Sequence, residues 1–233
     1  MDTLQTLEEA IEYIELKCAY LGIDSKIFIE YLKKNEIGYA IHYSLPIHKQ
    51  PLYLSYGFNL QKSEKFFTCL PFFHSFGLGV GVLLPILNNF KVFLYPTPLH
   101  YKNIPSLIES TGSSVFFSTD TFLKKYSKYA VKENFKNIKY LIAGAEKLDE
   151  ETYTYYKNNF DTKILEGYGV TESSPAVSVN TFEDFKLGSV GKIFSEIEYK
   201  IEKIDGYSKG GLLFLKGKNI MLGYQVEKDI KRY

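Results

Sequence analysis

From Lys65 onward, short apolar segments alternate with longer amphipathic ones, and this alternation constrains the fold more than any other feature of the chain. The predicted strands are Phe66–Leu70, Lys91–Tyr95, Ser114–Phe117, Lys139–Ile142 and Thr162–Leu165. The predicted helices are Phe76–Leu87, Asn103–Ser110, Asp120–Tyr129 and Asp149–Phe160. A β-α-β rhythm with short apolar strands predicts an α/β fold with a mostly parallel sheet flanked by helices.

The carboxyl ends of parallel strands meet at one edge of a sheet, where ligands usually bind. Three segments that follow predicted strands, Pro71–Gly77, Ala143–Lys147 and Glu166–Glu172, contain small, polar and aromatic residues suited to a binding site. We therefore expect these three segments to converge on one rim of the sheet.

The segments before and after this region have different predicted secondary structure. Residues 1–37 form a predicted helical segment, in which residues 4–21 carry one apolar stripe and Ser25 begins a second helix that ends at Lys34. Residues 38–64 are an irregular connection with one short predicted strand, Leu52–Tyr56. Residues 65–180 form the α/β core. Residues 181–233 form a small β subdomain, and its predicted strands are Val190–Ile193, Ile197–Glu202 and Leu212–Lys216.

Charge and cysteine content narrow the classes of function. Lys and Arg total 28 and Asp and Glu total 27, and the formal net charge of +1 gives no general attraction to nucleic acid. Cys18 and Cys69 form neither a disulfide framework nor a metal-ligand spacing. No secretory signal and no transmembrane helix is expected, so we predict a cytoplasmic protein and leave peripheral attachment at the inner membrane open.

The stretch Ile164–Ser174 combines the residue types that a nucleotide site needs. Glycines allow a sharp turn and close approach of a ligand, the ring of Tyr168 offers a stacking surface, and the hydroxyl of Thr171 can donate to an anionic oxygen. Glu172 is a hard oxygen ligand of the kind that Mg²⁺ prefers. A solvated hairpin or helix-entry turn explains the stretch equally well when it is taken alone.

His74 has a similar ambiguity. It lies between aromatic residues where a predicted strand gives way to a helix, and it can line a channel for an apolar substrate. Considered alone, a core histidine that is satisfied by a backbone carbonyl is the better explanation.

Taken together and in order, these segments resemble the adenylate-forming (AMP-binding) acid–thiol ligases. The resembling segments are Pro71–Gly77, Ala143–Glu146, Glu166–Glu172, Gly188–Gly191 and Gly217–Tyr224. One subgroup looks most similar, the synthetase half of the bacterial bifunctional 2-acylglycerophosphoethanolamine acyltransferase and acyl-acyl-carrier-protein synthetase. The segments that carry this second likeness are Val92–Tyr101, Thr119–Leu123, Ala143–Leu148 and Ile164–Asn180.

The resemblance implies a binding site for ATP or AMP. Tyr168 would stack on adenine, Glu166 would accept a hydrogen bond from the adenine amino group, and Gly144 and Ala145 would pass along the other face of the ring. The remaining residues of the implied nucleotide-binding set are Glu146, Gly167 and Gly169.

The resemblance also implies catalytic residues and a reaction. Thr171 would bind the α-phosphate, Glu172 would hold Mg²⁺, and His74 would lie where the carboxylate meets the acyl tunnel. The implied reaction activates a fatty acid as an acyl-adenylate and then transfers it to the thiol of acyl carrier protein or coenzyme A, in fatty acid and phospholipid metabolism.

The chain also departs from the family pattern. The family has a Ser/Thr/Gly-rich phosphate loop before the Pro-Phe-Phe-His segment, and a lid with a catalytic lysine after the Gly-Tyr segment. Neither is found here, so we expect a chain that is truncated at both ends and impaired by itself, with a complementing chain or a membrane lipid enzyme as a candidate partner. The alternatives are a non-catalytic nucleotide-binding or interaction protein, as a pseudoenzyme or a split-enzyme subunit, and a gene remnant.

Overall fold

The computed structural model describes residues 60–61, 63–206 and 210–224, together with Lys34. The chain divides into two compact units, residues 47–220 in one and residues 1–46 with 221–233 in the other. The fold and the site described below belong to the unit of residues 47–220. The predicted helices within residues 4–34, apart from Lys34, and the predicted strand Leu52–Tyr56 lie outside the described residues.

A seven-stranded sheet forms the centre of this unit, with the order β2-β1-β3-β4-β5-β6-β7. Its strands are β1 (Lys65–Thr68), β2 (Lys91–Leu94), β3 (Val115–Ser118), β4 (Tyr140–Ala143), β5 (Ile164–Gly169), β6 (Ala176–Val179) and β7 (Lys192–Ile193). The pairs from β2 to β5 are parallel, whereas β6 pairs antiparallel with β5 and β7 pairs antiparallel with β6. The predicted α/β class with a mostly parallel sheet is confirmed.

The helices follow the parallel strands in the predicted order. They are α1 (Ser75–Leu78), α2 (Leu84–Leu87), α3 (Asn103–Thr111), α4 (Asp120–Tyr126) and α5 (Glu150–Phe160). Two single-turn 3₁₀ segments, Lys132–Phe135 and Thr171–Ser173, lie between strands. Capping residues explain where several helices begin or end. Thr119 caps the start of α4, Asp149 caps the start of α5, and Gly112 at φ 60° ends α3.

The predicted helix Phe76–Leu87 is interrupted by a π-helical segment, Gly79–Leu83, between α1 and α2. Gly81 packs directly on β1, where the Thr68 hydroxyl donates to the Gly81 carbonyl at 2.7 Å. A β-carbon at Gly81 would lie 2.6 Å from Thr68 Cγ2, so the close packing requires glycine. Wide turns of this kind are frequent at functional sites, and this one lies beside the cavity described below.

Two buried clusters cover the two faces of the sheet, because successive strand residues point to opposite sides. Phe67 and Leu141 belong to the first cluster, which is completed by apolar residues of α3, α4 and α5. Phe66 and Ile142 belong to the second cluster, to which the π-helical segment and α2 contribute. The helix after β1 and the helices after β2, β3 and β4 therefore lie on opposite faces.

The region after Pro175 differs in part from expectation. We expected Val190–Ile193 in the small β subdomain, but Lys192–Ile193 pairs with β6 in the large sheet. Strand β6 itself was not predicted: the turn Thr171–Ser173 reverses the chain, helped by Ser174 at φ 59°, so that β6 runs back along β5. The predicted strands that follow are β8 (Glu198–Glu202) and β9 (Leu212–Lys216), and these form a separate two-stranded sheet.

Across the part of the chain that the structure describes, no helix has both the length and the apolar character needed to cross a bilayer.

Candidate functional site

A cavity of about 330 Å³ lies at the carboxyl ends of the central strands, among the segments that follow β1, β4 and β5. The predicted site residues that line it are His74, Gly144, Ala145, Gly167, Tyr168, Gly169, Thr171 and Glu172. The convergence of the three segments on one rim of the sheet is thus observed. The assignment of roles to these residues stays a prediction.

Strand β5 presents Tyr168 to the cavity through an irregularity in the sheet. The register between β5 and β6 shifts between Tyr168 and Gly169, and Tyr168 as a residue remains 39% exposed. A β-carbon at Gly169 would lie 1.8 Å from the carbonyl oxygen of Pro175, so only glycine permits this close approach of the two strands. The shift leaves the ring of Tyr168 available to a ligand.

The loop after β4 contributes backbone to the same cavity. Gly144 lies so close to the ring of Phe76 that a β-carbon at this position would come within 3.0 Å of that ring. Ala145 has φ 64°, which is an unfavourable left-handed conformation for a residue with a side chain. The Gly144 amide donates to the Ser118 carbonyl at 3.1 Å and ties the start of the loop to β3.

Two predicted binding residues, Glu146 and Glu166, are absent from the cavity lining. Glu146 Oε2 accepts hydrogen bonds from the amide and the hydroxyl of Thr121, at 2.9 and 2.7 Å. The side chain of Glu166 is buried, and its Oε1 accepts from the Leu148 amide at 3.1 Å. Glu166 Oε2 is also buried, and within the described part of the chain no donor pairs with it.

A charged cluster holds the far end of this loop against α4. Lys124 Nζ lies 2.9 Å from Asp120 Oδ2 and 2.8 Å from Asp149 Oδ2. The hydrogen bond from Lys124 and, second, the bond from the Glu151 amide hold the pKa of Asp149 below its usual value. The same two carboxylates, Asp149 first, raise the pKa of Lys124. Both shifts favour the ionised forms of Asp149 and Lys124.

Hydrogen bonds hold the turn Thr171–Ser173 in place, and Thr171 and Glu172 of this turn line the cavity. Ser173 Oγ accepts from the Val170 amide at 3.2 Å, and the Ser173 carbonyl accepts from the Asn219 side chain at 2.8 Å. Ser174 Oγ in turn donates to the Asn219 carbonyl at 3.0 Å. The buried Asn219 was not predicted as a site residue, although it lies within the resembling segment Gly217–Tyr224.

His74 begins α1 rather than lying in the core. It is exposed, and its Nδ1 accepts a hydrogen bond from the Phe76 amide at 3.2 Å. If the ring is neutral, this bond leaves the proton on Nε2. The next residue, Ser75, donates from its hydroxyl to Thr171 Oγ1 at 3.3 Å and joins the rim segments after β1 and β5. Ser75 was missed by sequence reasoning, although it directly follows His74.

Much of the cavity lining is apolar. Its apolar lining includes Phe76, Val80, Phe117, Ile142 and Val179. These come from the helix after β1 and from one face of the sheet, the face on which strand alternation places Phe117, Ile142 and Val179. Glu172 is the one charged carboxylate and no lysine or arginine is present among the described lining residues.

The arrangement is compatible with a magnesium–nucleotide ligand. Among the residues that the structure describes, no group of three or more His, Cys, Asp or Glu side chains is arranged to hold a metal ion. Mg²⁺ commonly binds proteins through one or two carboxylates, with substrate phosphates and water completing its shell. A single rim carboxylate, Glu172, fits that mode.

Comparison with known proteins identifies the family. The family model described as AMP-binding enzyme matches residues 47–225. The chain belongs to the AMP-binding enzyme family. Probable 4-coumarate–CoA ligase 3 of Dictyostelium discoideum is 27% identical over 175 residues, which are 70% of this chain and 31% of that protein. The long-chain-fatty-acid–CoA ligase of Escherichia coli is 27% identical over 176 residues, which are 70% of this chain and 30% of that protein.

Solved structures show the same fold at lower identity. The apo MatB of Rhodopseudomonas palustris superposes with a TM-score of 0.65 and 21% identity, covering 74% of this chain and 35% of MatB. The anthranilate CoA ligase AuaEII, solved with anthranoyl-AMP, gives a TM-score of 0.66 at 19% identity and covers 78% of this chain and 40% of its own. This member of the AMP-binding enzyme family spans about a third of the length of the curated relatives that it matches.

Proposed function

We propose that the cavity binds an adenine nucleotide beside a carboxylic acid, and that the chain takes part in the ATP-dependent activation of that acid as an acyl-adenylate. One observation carries the proposal: an aromatic ring, a loop without side-chain obstruction and a hydroxyl–carboxylate pair line one cavity together with several apolar side chains. These are Tyr168, the Gly144–Ala145 loop, and the pair Thr171 and Glu172.

Adenine is proposed to lie between the Tyr168 ring and the Gly144–Ala145 backbone. A base stacked on an aromatic side chain gains about 1–3 kcal/mol, and the partial exposure of Tyr168 leaves its face accessible. Glu166 does not line the cavity, and its side chain is proposed to turn toward the adenine amino group, because no donor among the described residues pairs with its Oε2. A buried carboxylate oxygen without a donor is costly, and a bound amino group would remove that cost.

The rim pair is proposed to handle the phosphates. The Thr171 hydroxyl donates to a non-bridging oxygen of the α-phosphate, and the Glu172 carboxylate holds Mg²⁺. When bound, the ion offsets negative charge on the pyrophosphate leaving group. A carboxylate oxygen of the acid attacks the α-phosphorus, the bond from that phosphorus to the pyrophosphate oxygen breaks, and the acyl-adenylate forms. Orientation by these side chains supplies most of what the protein contributes.

The acid is proposed to be a fatty acid, bound with its tail against the apolar lining residues of the cavity. No cationic side chain among the described lining residues would compensate a second carboxylate, so a dicarboxylate would pay an uncompensated desolvation cost. The similarity to the E. coli long-chain-fatty-acid–CoA ligase supports the same class. His74, an exposed residue of the cavity lining, would contact the reacting carboxylate.

The second half of the reaction is proposed to transfer the acyl group to a thiol. The thiol attacks the acyl carbonyl carbon, AMP leaves, and a thioester of acyl carrier protein or coenzyme A forms. The likeness of Ile164–Asn180 to the acyl-acyl-carrier-protein synthetase subgroup supports carrier protein and a place in fatty acid and phospholipid metabolism. The relatives named as CoA ligases support coenzyme A.

ATP–pyrophosphate exchange tests this proposal. The full chain is incubated with ATP, Mg²⁺ and labelled pyrophosphate, with palmitate, octanoate, malonate or no acid. We expect exchange that depends on a fatty acid and is not supported by malonate. Exchange with malonate alone would overturn the proposed acid class. Nucleotide binding without exchange under any acid would overturn the catalytic role and support a non-catalytic nucleotide-binding protein.

Two variants that remove the same charge at different positions test whether Glu172 takes part in the reaction. Glu172→Gln removes the proposed metal-binding charge and is expected to lower exchange at least tenfold, which is a modest loss for an electrostatic catalytic group. Glu133→Gln makes the same change at an exposed position in the 3₁₀ segment, away from the cavity, and should leave exchange unchanged. Equal activity of the two variants would argue against a role for Glu172.

A further inference from the structure

The loop between β4 and α5 holds a strained residue against the cavity. Ala145 lines the cavity with φ 64°, a conformation that its β-carbon makes unfavourable. Such a conformation persists only where surrounding contacts enforce it. Contacts made by the residues next to Ala145 must therefore hold it at positive φ.

The Gly144 amide, which donates to the Ser118 carbonyl at 3.1 Å, restrains the chain directly before Ala145, and the Glu146 side chain, which does not line the cavity, restrains it directly after. Glu146 Oε2 accepts from the Thr121 amide at 2.9 Å and from the Thr121 hydroxyl at 2.7 Å. Both bonds are charge-assisted, which makes them stronger than bonds between neutral groups. The carboxylate thus joins the residue next to Ala145 to the start of α4.

Weaker or more distant ties complete the anchoring. The Leu148 amide donates to Glu166 Oε1 at 3.1 Å, and the Asp149 amide donates to Asp120 Oδ1 at 3.1 Å. These bonds fix the end of the loop three and four positions beyond Ala145. Glu146 is the side chain that holds the position directly after it.

We propose that Glu146 is a positioning residue for the nucleotide. Without touching the ligand, its clamp on Thr121 keeps Ala145 in the left-handed conformation and so keeps the loop in the shape that faces the adenine ring. The inference rests on the proposed nucleotide binding and adds to it the residue that shapes one wall of the site. It also replaces the direct cofactor contact that the sequence resemblance implies for Glu146.

A conservative series at Thr121 tests the clamp without altering the loop. Thr121→Val keeps the shape and removes the hydroxyl donor, whereas Thr121→Ser keeps the donor. We expect the Kd for AMP, measured by isothermal titration, to rise about fivefold in Thr121→Val, which corresponds to loss of one ordinary hydrogen bond, and less than about twofold in Thr121→Ser. Equal affinity of the two variants would overturn the proposal.

Removal of the carboxylate gives the larger effect. Glu146→Ala is expected to raise the Kd for AMP about tenfold or more, because both charge-assisted bonds are lost. Ala145→Gly in that background should recover at least half of the loss on a logarithmic scale, since glycine adopts positive φ without penalty. General destabilisation predicts no such recovery, so its absence would contradict the role assigned to Glu146.

Amide hydrogen exchange separates this inference from the proposed function. In Glu146→Ala, we expect the Gly144 and Leu148 amides to exchange at least about fivefold faster, while those of β3 stay unchanged. Unchanged exchange at Gly144 and Leu148 would overturn the clamp. If the wild-type chain binds no nucleotide but this exchange increases, the clamp is a loop restraint and the proposed function has failed.

Discussion

The hydroxyl of Ser75 donates a hydrogen bond to the hydroxyl of Thr171 at 3.3 Å, across 96 positions of sequence. This bond joins the segment after β1, which carries His74, to the turn after β5, which carries Glu172. A direct hydrogen bond between two small polar side chains therefore connects these two segments of the cavity rim. The loop after β4 completes the rim but is fixed independently, through α4.

Loss of the Ser75 hydroxyl should loosen the orientation of Thr171. Ser75→Ala is expected to raise the Kd for ATP by about twofold to fivefold, because the bond is long and exposed. Isothermal titration measures the effect. Ser106→Ala, which removes an exposed serine hydroxyl on α3, is the control and should bind ATP as the wild type does. If both variants match the wild type, the bond does not orient Thr171.

Gly169 should be far less replaceable than glycines in open turns. A β-carbon there would lie 1.8 Å from the Pro175 carbonyl oxygen, so Gly169→Ala must separate β5 from β6. We expect a loss of roughly 3 kcal/mol or more in urea unfolding. Gly188→Ala, at φ 73° with no atom near the added carbon, should lose only about 1 kcal/mol. Equal losses would show that the contact relaxes without cost.

Two buried serines near the turn should respond oppositely to alanine. Ser178 Oγ is buried without a hydrogen-bond partner in the described part of the chain, so Ser178→Ala should leave the free energy of unfolding unchanged or raise it by about 1 kcal/mol. Ser173 Oγ accepts from the Val170 amide and donates to the Pro175 carbonyl, so Ser173→Ala should cost about 1–3 kcal/mol. Thermal unfolding of both variants checks the contrast. A destabilised Ser178→Ala would mean that its hydroxyl has a partner.

Acid should weaken the anchor of the loop after β4. The Lys124 hydrogen bond, with the Glu151 amide, holds the Asp149 pKa below its ordinary value of 3.8. The ionised form is therefore favoured by folding, and this stabilisation is present at pH values above the ordinary pKa and is lost as the pH falls through the lower folded pKa.

Urea unfolding of Asp149→Asn between pH 7 and pH 3 measures this contribution. Asparagine keeps the cap of α5 but not the charge, so the variant should lose less stability than the wild type across the acid range. The effect is expected to be small, because the carboxylate is partly exposed. Parallel acid profiles for the two proteins would rule out a role for the ionised Asp149.

Much of the fold could be predicted from sequence because its signals are local. Strand β9 was predicted with the observed bounds, Leu212–Lys216, and the helix that follows β4 with its end at Phe160. Alternation of short apolar and longer amphipathic segments is enough to place a parallel sheet. Strand β6 was missed because its partner is set by the tight turn at Thr171–Ser173, and that reversal depends on tertiary contacts to Asn219.

The location of the candidate site could be predicted from the sequence, but several of its side-chain contacts could not. The strand-end rule brings His74, Gly144 and Tyr168 to one cavity. The directions of Glu146 and Glu166 could not be read from sequence, because each depends on a partner from another element. Those partners, Thr121 and Leu148, are respectively 25 and 18 positions away.

Isothermal titration of the full chain with ATP and AMP, comparing the wild type with Tyr168→Ala, tests the central claim most directly. We predict that the wild type binds at millimolar concentrations or below and that Tyr168→Ala binds about tenfold more weakly, as loss of one base–aromatic stack implies. Tyr129→Ala, which removes a comparably exposed tyrosine elsewhere, should bind as the wild type does. No wild-type binding at millimolar nucleotide, or equal affinity of the wild type and Tyr168→Ala, would contradict the account.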